Sequence, residues 1–214
     1  SRARQVCPDL IMIPHTSGRY GEYSRKMFDV CERLTPIVQR NSIDEGYLDV
    51  SGCGFATLAE VEAAVRKLQQ TIWDELQITV SFGIATNKLV AQIASKLRKP
   101  RGFVVVPAGE EASFLAPLSV GKLPGVGTKT EETLKRAGFE RIADVVAADE
   151  RRLAAAVGNF AVELKQQARG IDDRPVETEH DDAKSYSQQE TFGHDIREAA
   201  EIVRVLKRMV DELL

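Results

Sequence analysis

Ser42-Ile43-Asp44-Glu45-Gly46-Tyr47-Leu48-Asp49 is the stretch that decides the fold. Two carboxylates, Asp44 and Glu45, stand side by side between β-branched and aromatic residues. Like charges this close repel unless a cation lies between them. A divalent ion fills that role, and hard oxygen donors suit Mg²⁺. Tyr47-Leu48-Asp49-Val50 then alternates as a half-buried strand does. The acids are therefore expected where a sheet meets solvent, within reach of metal-bound phosphates. On the dipeptide alone, a hairpin corner with two solvated acids is the plainer reading.

Outward from this turn, residues 37–43 and 47–50 read as its two strands. Upstream, residues 9–14 read as a short strand ended by Pro14. Residues 20–34 read as a helix, with Tyr23, Met27, Val30, Cys31 and Leu34 on one face. Downstream, the pattern predicts a helix over 58–76, a strand over 78–85, a helix over 87–97 with Asn87 as its cap, and a strand over 102–106. From residue 112 the strands stop. Helical pieces follow at 118–126, 128–137, 142–147, 149–157 and 160–169, punctuated by glycine. Residues 171–183 are acidic, contain Pro175 and read as a linker. Residues 184–192 suggest a strand, and 196–214 a long amphipathic helix.

The 214 residues allow one or two domains, and a composition 43% apolar and 29% charged is ordinary for a globular chain. No apolar run approaches the ~18 residues of a membrane span, so no membrane partner is expected. No secretory leader precedes the first folded-looking segment. Cys7, Cys31 and Cys53 lack metal or disulfide spacing and read as buried free thiols in a reducing cytoplasm. The net charge of −3 excludes a uniformly basic nucleic-acid binder. The charge is uneven, however. Residues 86–101 hold five bases (Lys88, Lys96, Arg98, Lys99, Arg101) and no acid, whereas 171–182 hold six acids against Arg174. A solvated helix face would give the same local excess.

Leu123-Pro124-Gly125-Val126-Gly127, followed by a helix, is a helix–hairpin–helix pattern. Its glycines let backbone N–H groups face outward, and the helix start adds a positive end, so a phosphate can be held without reading a base. Lys122 and Lys129 flank it.

The octet resembles the S-I-D-E-A-Y-L-D signature of Y-family DNA polymerases, in the DNA polymerase IV (DinB) branch, departing from it only at Gly46. The resemblance continues in Val80–Lys88, in Ile93-Ala94-Ser95-Lys96, in Lys99-Pro100, in the glycine hairpin, and in Lys184–Phe192, which is similar to the opening of the family's little finger. It implies an α+β chain: an incomplete ferredoxin-like palm, a small all-α helix–hairpin–helix thumb, and the beginning of an α+β little finger. The implied divisions are 1–36 for the end of the fingers, 37–110 for the palm, 111–170 for the thumb, 171–183 for the linker and 184–214 for the little finger. The leading palm strand and the family's first motif, with its further metal-binding Asp, are expected before Ser1. Phe28-Asp29 is no substitute, lying inside a helix.

The implied activity is templated nucleotidyl transfer in DNA damage bypass. Asp44 and Glu45 would hold two Mg²⁺ ions and Lys99 the triphosphate of a deoxynucleotide. Gly125, Val126, Gly127, Thr128, Lys129 and Lys122 would grip the primer strand, and Lys184 and Ser185 the template backbone. A sliding clamp would bind outside this chain. The chain alone is expected not to polymerise. Two alternatives stay open: a non-catalytic DNA-binding scaffold, and an interaction fragment that dimerises through the helix at 196–214.

Overall fold

The computed structural model describes residues 2–13, 18–178, 185–193 and 195–213. It divides into two units, 1–178 and 179–214.

In the first unit, α1 (Arg2–Val6) precedes an exposed stretch, 7–13, that forms no strand. The expected strand at its end is thus absent over 9–13, and Pro14 lies outside the described residues. Ile11 and Ile13 are more than four-fifths exposed. An apolar run becomes a strand only when another strand pairs with it, and none does so here among the described residues.

Helix α2 (Arg19–Glu32) buries Met27, Phe28, Val30 and Cys31. Thr35 ends the turn that follows. Its buried hydroxyl donates to Asp49 O at 2.6 Å and accepts from Ile37 N at 3.2 Å, so both ends of the acidic hairpin are fixed by one side chain. Strands β1 (Val38–Arg40) and β2 (Gly46–Leu48) pair antiparallel, with Gln39 facing Tyr47. Helix α3 (Leu58–Leu76) keeps the bounds its periodicity predicts. Thr57 caps it by accepting from Glu60 N, and Glu60 accepts from Ala56 N in return. Strand β3 (Phe82–Ile84) and β4 (Phe103–Val105) pair in parallel, joined by α4 (Lys88–Leu97), whose first turn Asn87 caps through Val90 N.

The strands do not form one sheet. They form two two-stranded pieces. A cleft of about 440 Å³ separates β2 from β3, lined by Leu48, Val80, Phe82 and side chains of α2, α3 and α4. The expectation of a single incomplete palm sheet is corrected to this extent: β2 and β3 share no ladder, so each turns an unpaired edge toward the cleft.

Beyond β4 the chain is helical: α5 (Glu111–Leu115), a 3₁₀ turn (Val120–Lys122), α6 (Thr128–Arg136), α7 (Ile142–Ala147), α8 (Glu150–Val157) and α9 (Phe160–Ala168). The helix expected over 118–126 shrinks to that 3₁₀ turn. One apolar cluster joins α2, β1 and α3. A second joins α4 to α5–α9 through Leu89, Val90, Ile93, Leu115, Leu134 and Leu164. Helix α4 is thus the floor of the β3–β4 piece and also part of the helical core.

Residues 171–178 are not a free linker. Asn87 Nδ2 donates to Gly170 O at 2.8 Å, Leu89 N to Asp172 Oδ2 at 2.9 Å, and Glu177 N to Gln39 Oε1 at 3.1 Å. In the second unit, 185–192 form no strand, and α10 (Ala199–Asp211) has no buried residue, leaving Ile202, Val203, Leu206 and Val210 exposed. Arg208 pairs with Glu190, and Gln188 donates to Glu212.

Among the described residues no helix is long and apolar enough to cross a membrane. All three cysteines are free, but only Cys31 is buried. Cys53 is half-buried and Cys7 exposed, which corrects the expectation of three buried thiols.

Candidate nucleotidyl-transfer and nucleic-acid site

The turn between β1 and β2 is built by Ser42. Asn41 N and Ser42 N both donate to Glu45 O, closing the loop. The Ser42 hydroxyl donates to Asp44 Oδ1 at 2.7 Å and accepts from Glu45 N at 3.0 Å. Asp44 is exposed, with no ion pair among the described residues. Glu45 lies 3.4 Å from the Lys96 ammonium on α4, both side chains being about two-fifths exposed. Asp44, Glu45, Lys96 and Lys99 all line the cleft between the two sheet pieces. Lys99 is exposed and makes no ion pair among the described residues. The structure therefore lines one cleft with three of the expected groups, Asp44, Glu45 and Lys99.

Two adjacent carboxylates with open faces are a hard-oxygen donor set of the kind Mg²⁺ takes when phosphates and water complete its shell. Asp44 and Glu45 fit such an ion in chemistry. They are a partial set: among the described residues no group of three or more His, Cys, Asp or Glu could hold a metal.

The glycine hairpin follows the 3₁₀ turn. Gly125 has φ +81°, a backbone state that L side chains rarely adopt, and a Cβ there would come 2.9 Å from the Phe160 ring. Val126 and Leu123 point into the core and anchor the turn. Gly127 is the N-cap of α6 and offers no side-chain acceptor, and a Cβ on it would meet open space. The first helical bond runs from Glu131 N to Gly127 O. The N–H groups of Thr128 and Lys129 precede that bond, on an exposed end flanked by the exposed Lys122 and Lys129. Free N–H groups at such an end are of the kind that can donate to an anion. Glu131, one turn on, is turned aside by Lys135 and Ser119, which hold its carboxyl below the usual range. A smaller cavity beside this turn is lined by Lys96, Gly121, Lys122 and Pro124. Lys96 thus borders both the acid cleft and the hairpin.

Ser185 is exposed in the second unit, and Lys184 lies outside the described residues. Sequence reasoning assigned no site role to Ser42, Lys96 or Lys88. Lys88 and Lys96 lie eight residues apart, so helical periodicity puts them on one face of α4, and that spacing was the available signal.

An acid-tipped hairpin and a helix-floored sheet, followed by a helical module with a glycine hairpin, define the α+β palm-and-thumb region of a polymerase. The chain belongs to the impB/mucB/samB family, in the DNA polymerase IV (DinB) branch of the Y-family polymerases: that family's pattern matches residues 1–96, and the IMS family HHH motif matches residues 108–139. A DNA polymerase IV of Opitutus terrae is 66% identical over 215 residues, covering 100% of this chain and 55% of its own length. One of Dehalococcoides mccartyi is 40% identical, over 91% of this chain and 50% of its own. Among solved structures, a Y-family DNA polymerase chimera superposes with a TM-score of 0.84 at 26% identity, covering 99% of this chain and 61% of that one. An insertion ternary complex of Dbh DNA polymerase gives 0.76 at 27%, covering 99% and 61%. The chain spans about half the length of the curated relatives it matches.

Proposed function

We propose that this chain is the palm-and-thumb portion of a translesion DNA polymerase and that it binds primer–template DNA. The observation that supports this reading is that Asp44, Glu45 and Lys99 line one cleft, with Lys96 bordering both that cleft and the cavity beside the glycine hairpin. Divalent ions, when bound, supply neutralisation of the attacking 3′-oxygen and the leaving pyrophosphate. Asp44 and Glu45 hold them. Lys99 meets the triphosphate of an incoming deoxynucleotide, where a cation counters the charge that builds on the leaving group. Gly125–Lys129 and Lys122 hold a backbone phosphate of the primer strand. The β2 and β3 edges that face the cleft are both unpaired, so each retains backbone donors and acceptors for a further strand. Residues 1–36, 37–110, 111–170 and 184–214 correspond in this reading to fingers end, palm, thumb and little-finger start.

Primer–template binding, followed by fluorescence anisotropy, tests the reading. The chain should bind without sequence preference, and Lys122→Glu with Lys129→Glu should weaken binding at least tenfold. Asp44→Ala should leave binding largely intact. Equal affinity of the double variant and the unaltered chain would refute the hairpin assignment. Because Asp44 and Glu45 are a partial donor set, this chain alone should not extend a primer in Mg²⁺; processive extension would overturn that point.

A further inference from the structure

Lys88 stands in two unfavourable places at once. It is the first residue of α4, where the helix dipole disfavours a cation. It is also buried, at 9% exposure, and forms no salt bridge among the described residues. A buried ammonium is tolerated only when its three donors are satisfied. Here Nζ donates to Gln39 Oε1 at 2.7 Å and to Pro175 O at 2.8 Å, and it lies 5.2 Å from the centroid of the Tyr47 ring. All three partners are neutral, so net charge pairing does not explain the position.

The partners explain it. Gln39 and Tyr47 face each other across β1 and β2, the hairpin whose turn carries Asp44 and Glu45. Pro175 belongs to the segment that crosses the start of α4, where Asp172 accepts from Leu89 N and so supplies the anion that the helix end favours. Gln39 Oε1 is shared, accepting from Lys88 Nζ and from Glu177 N. One ammonium therefore joins a helix, a hairpin and a segment separated by 49 and 87 positions in the chain. On the same helix, Lys96 meets Glu45 at the hairpin tip. The hairpin is held at its middle and at its tip by one rigid element.

We infer that Lys88 is a positioning residue that locks the acid-bearing hairpin and residues 170–177 onto the start of α4, and so sets where Asp44 and Glu45 stand. The effect on the acids rests on the proposed reading of them as metal ligands; the lock does not.

Lys88→Met keeps the aliphatic volume and removes the donors. Gln39→Met removes the shared acceptor from the other side and serves if the first variant fails to fold. In this chain, each should raise hydrogen–deuterium exchange at least tenfold in residues 41–46 and 172–177, leaving α3 and α6 unchanged. Mn²⁺ affinity at the acid pair, identified by its loss in Asp44→Ala, should fall at least threefold. Unchanged exchange in both segments would overturn the lock. A uniform rise across all helices would also overturn it, since it marks a purely structural role. If exchange changes as expected but the unaltered chain shows no Mn²⁺ binding that depends on Asp44, the lock stands and the metal reading fails.

Discussion

At the scale of single residues, Gly46 is the one departure from the signature octet, and the structure gives it a cause. A Cβ at position 46 would lie 2.7 Å from Gln39 O and 2.7 Å from Phe28 Cε1. Phe28 is fully buried against the hairpin, so the space an alanine methyl would use is already filled. Gly46→Ala should therefore destabilise the chain by ~1–3 kcal/mol in urea unfolding. The smallness of the residue was legible in the sequence; its necessity was not, because the obstacle comes from a helix eighteen positions away. Cysteine behaviour follows from burial in the same way. Burial pushes the Cys31 thiol up to about 11, with Glu32 adding to the effect. The thiolate is the reactive form. A disulfide-exchange reagent at pH 8 should label exposed Cys7 at once and Cys31 only on unfolding, while Cys53, donating to Leu34 O, should react at an intermediate rate.

At the scale of elements, legibility tracked the range of the interactions. Helix α3 and the Asn87 cap rest on contacts within four residues, and these the sequence displays directly. The segment 170–177 rests on contacts across 83 to 138 positions. Its acids and proline have no period, so it read as a linker although it is tied down. Asp172 shows how. Its side chain is 6% exposed, and Arg174, then the backbone N–H groups of Arg174 and Leu89, hold its carboxyl below the usual carboxylate range. A carboxyl with a depressed folded pKa stabilises above its unfolded value and loses that contribution as pH falls through the folded value. Asp172→Asn should cost ~1–2 kcal/mol at pH 7. The gap between variant and unaltered chain in urea unfolding should persist down to about pH 4 and close below it. A gap that stays constant to pH 2 would show that the charge of Asp172 is not what holds the segment. The strand expected at 9–14 is absent over the described residues 9–13 for the complementary reason: apolar content was present, but among the described residues its partner was not.

At the scale of the whole molecule, net charge misleads. The chain is acidic by three charges, yet its proposed DNA-facing parts gather Lys96, Lys99, Lys122 and Lys129 while Asp44 and Glu45 stand among them. DNA affinity should therefore depend on two opposed local fields rather than on the total. Each lysine that neutralises a phosphate adds ~0.7–0.9 to the slope of log affinity against log salt. Lys122→Gln and Lys129→Gln should each lower that slope by about one such increment, and together by about two. The acids act with the opposite sign. Without divalent metal they repel the backbone, so Asp44→Asn with Glu45→Gln should tighten primer–template binding in EDTA. Glu45→Gln also frees Lys96, at present 3.4 Å from that carboxylate, to meet a phosphate. Adding Mg²⁺ neutralises the acids in the unaltered chain alone, so the difference between the two proteins should shrink as Mg²⁺ rises. A tightening that is equal in EDTA and in Mg²⁺ would mean that the acids are merely a repulsive corner. A tightening that vanishes with the metal would mean that the hairpin tip takes up the ion in the presence of its nucleic acid.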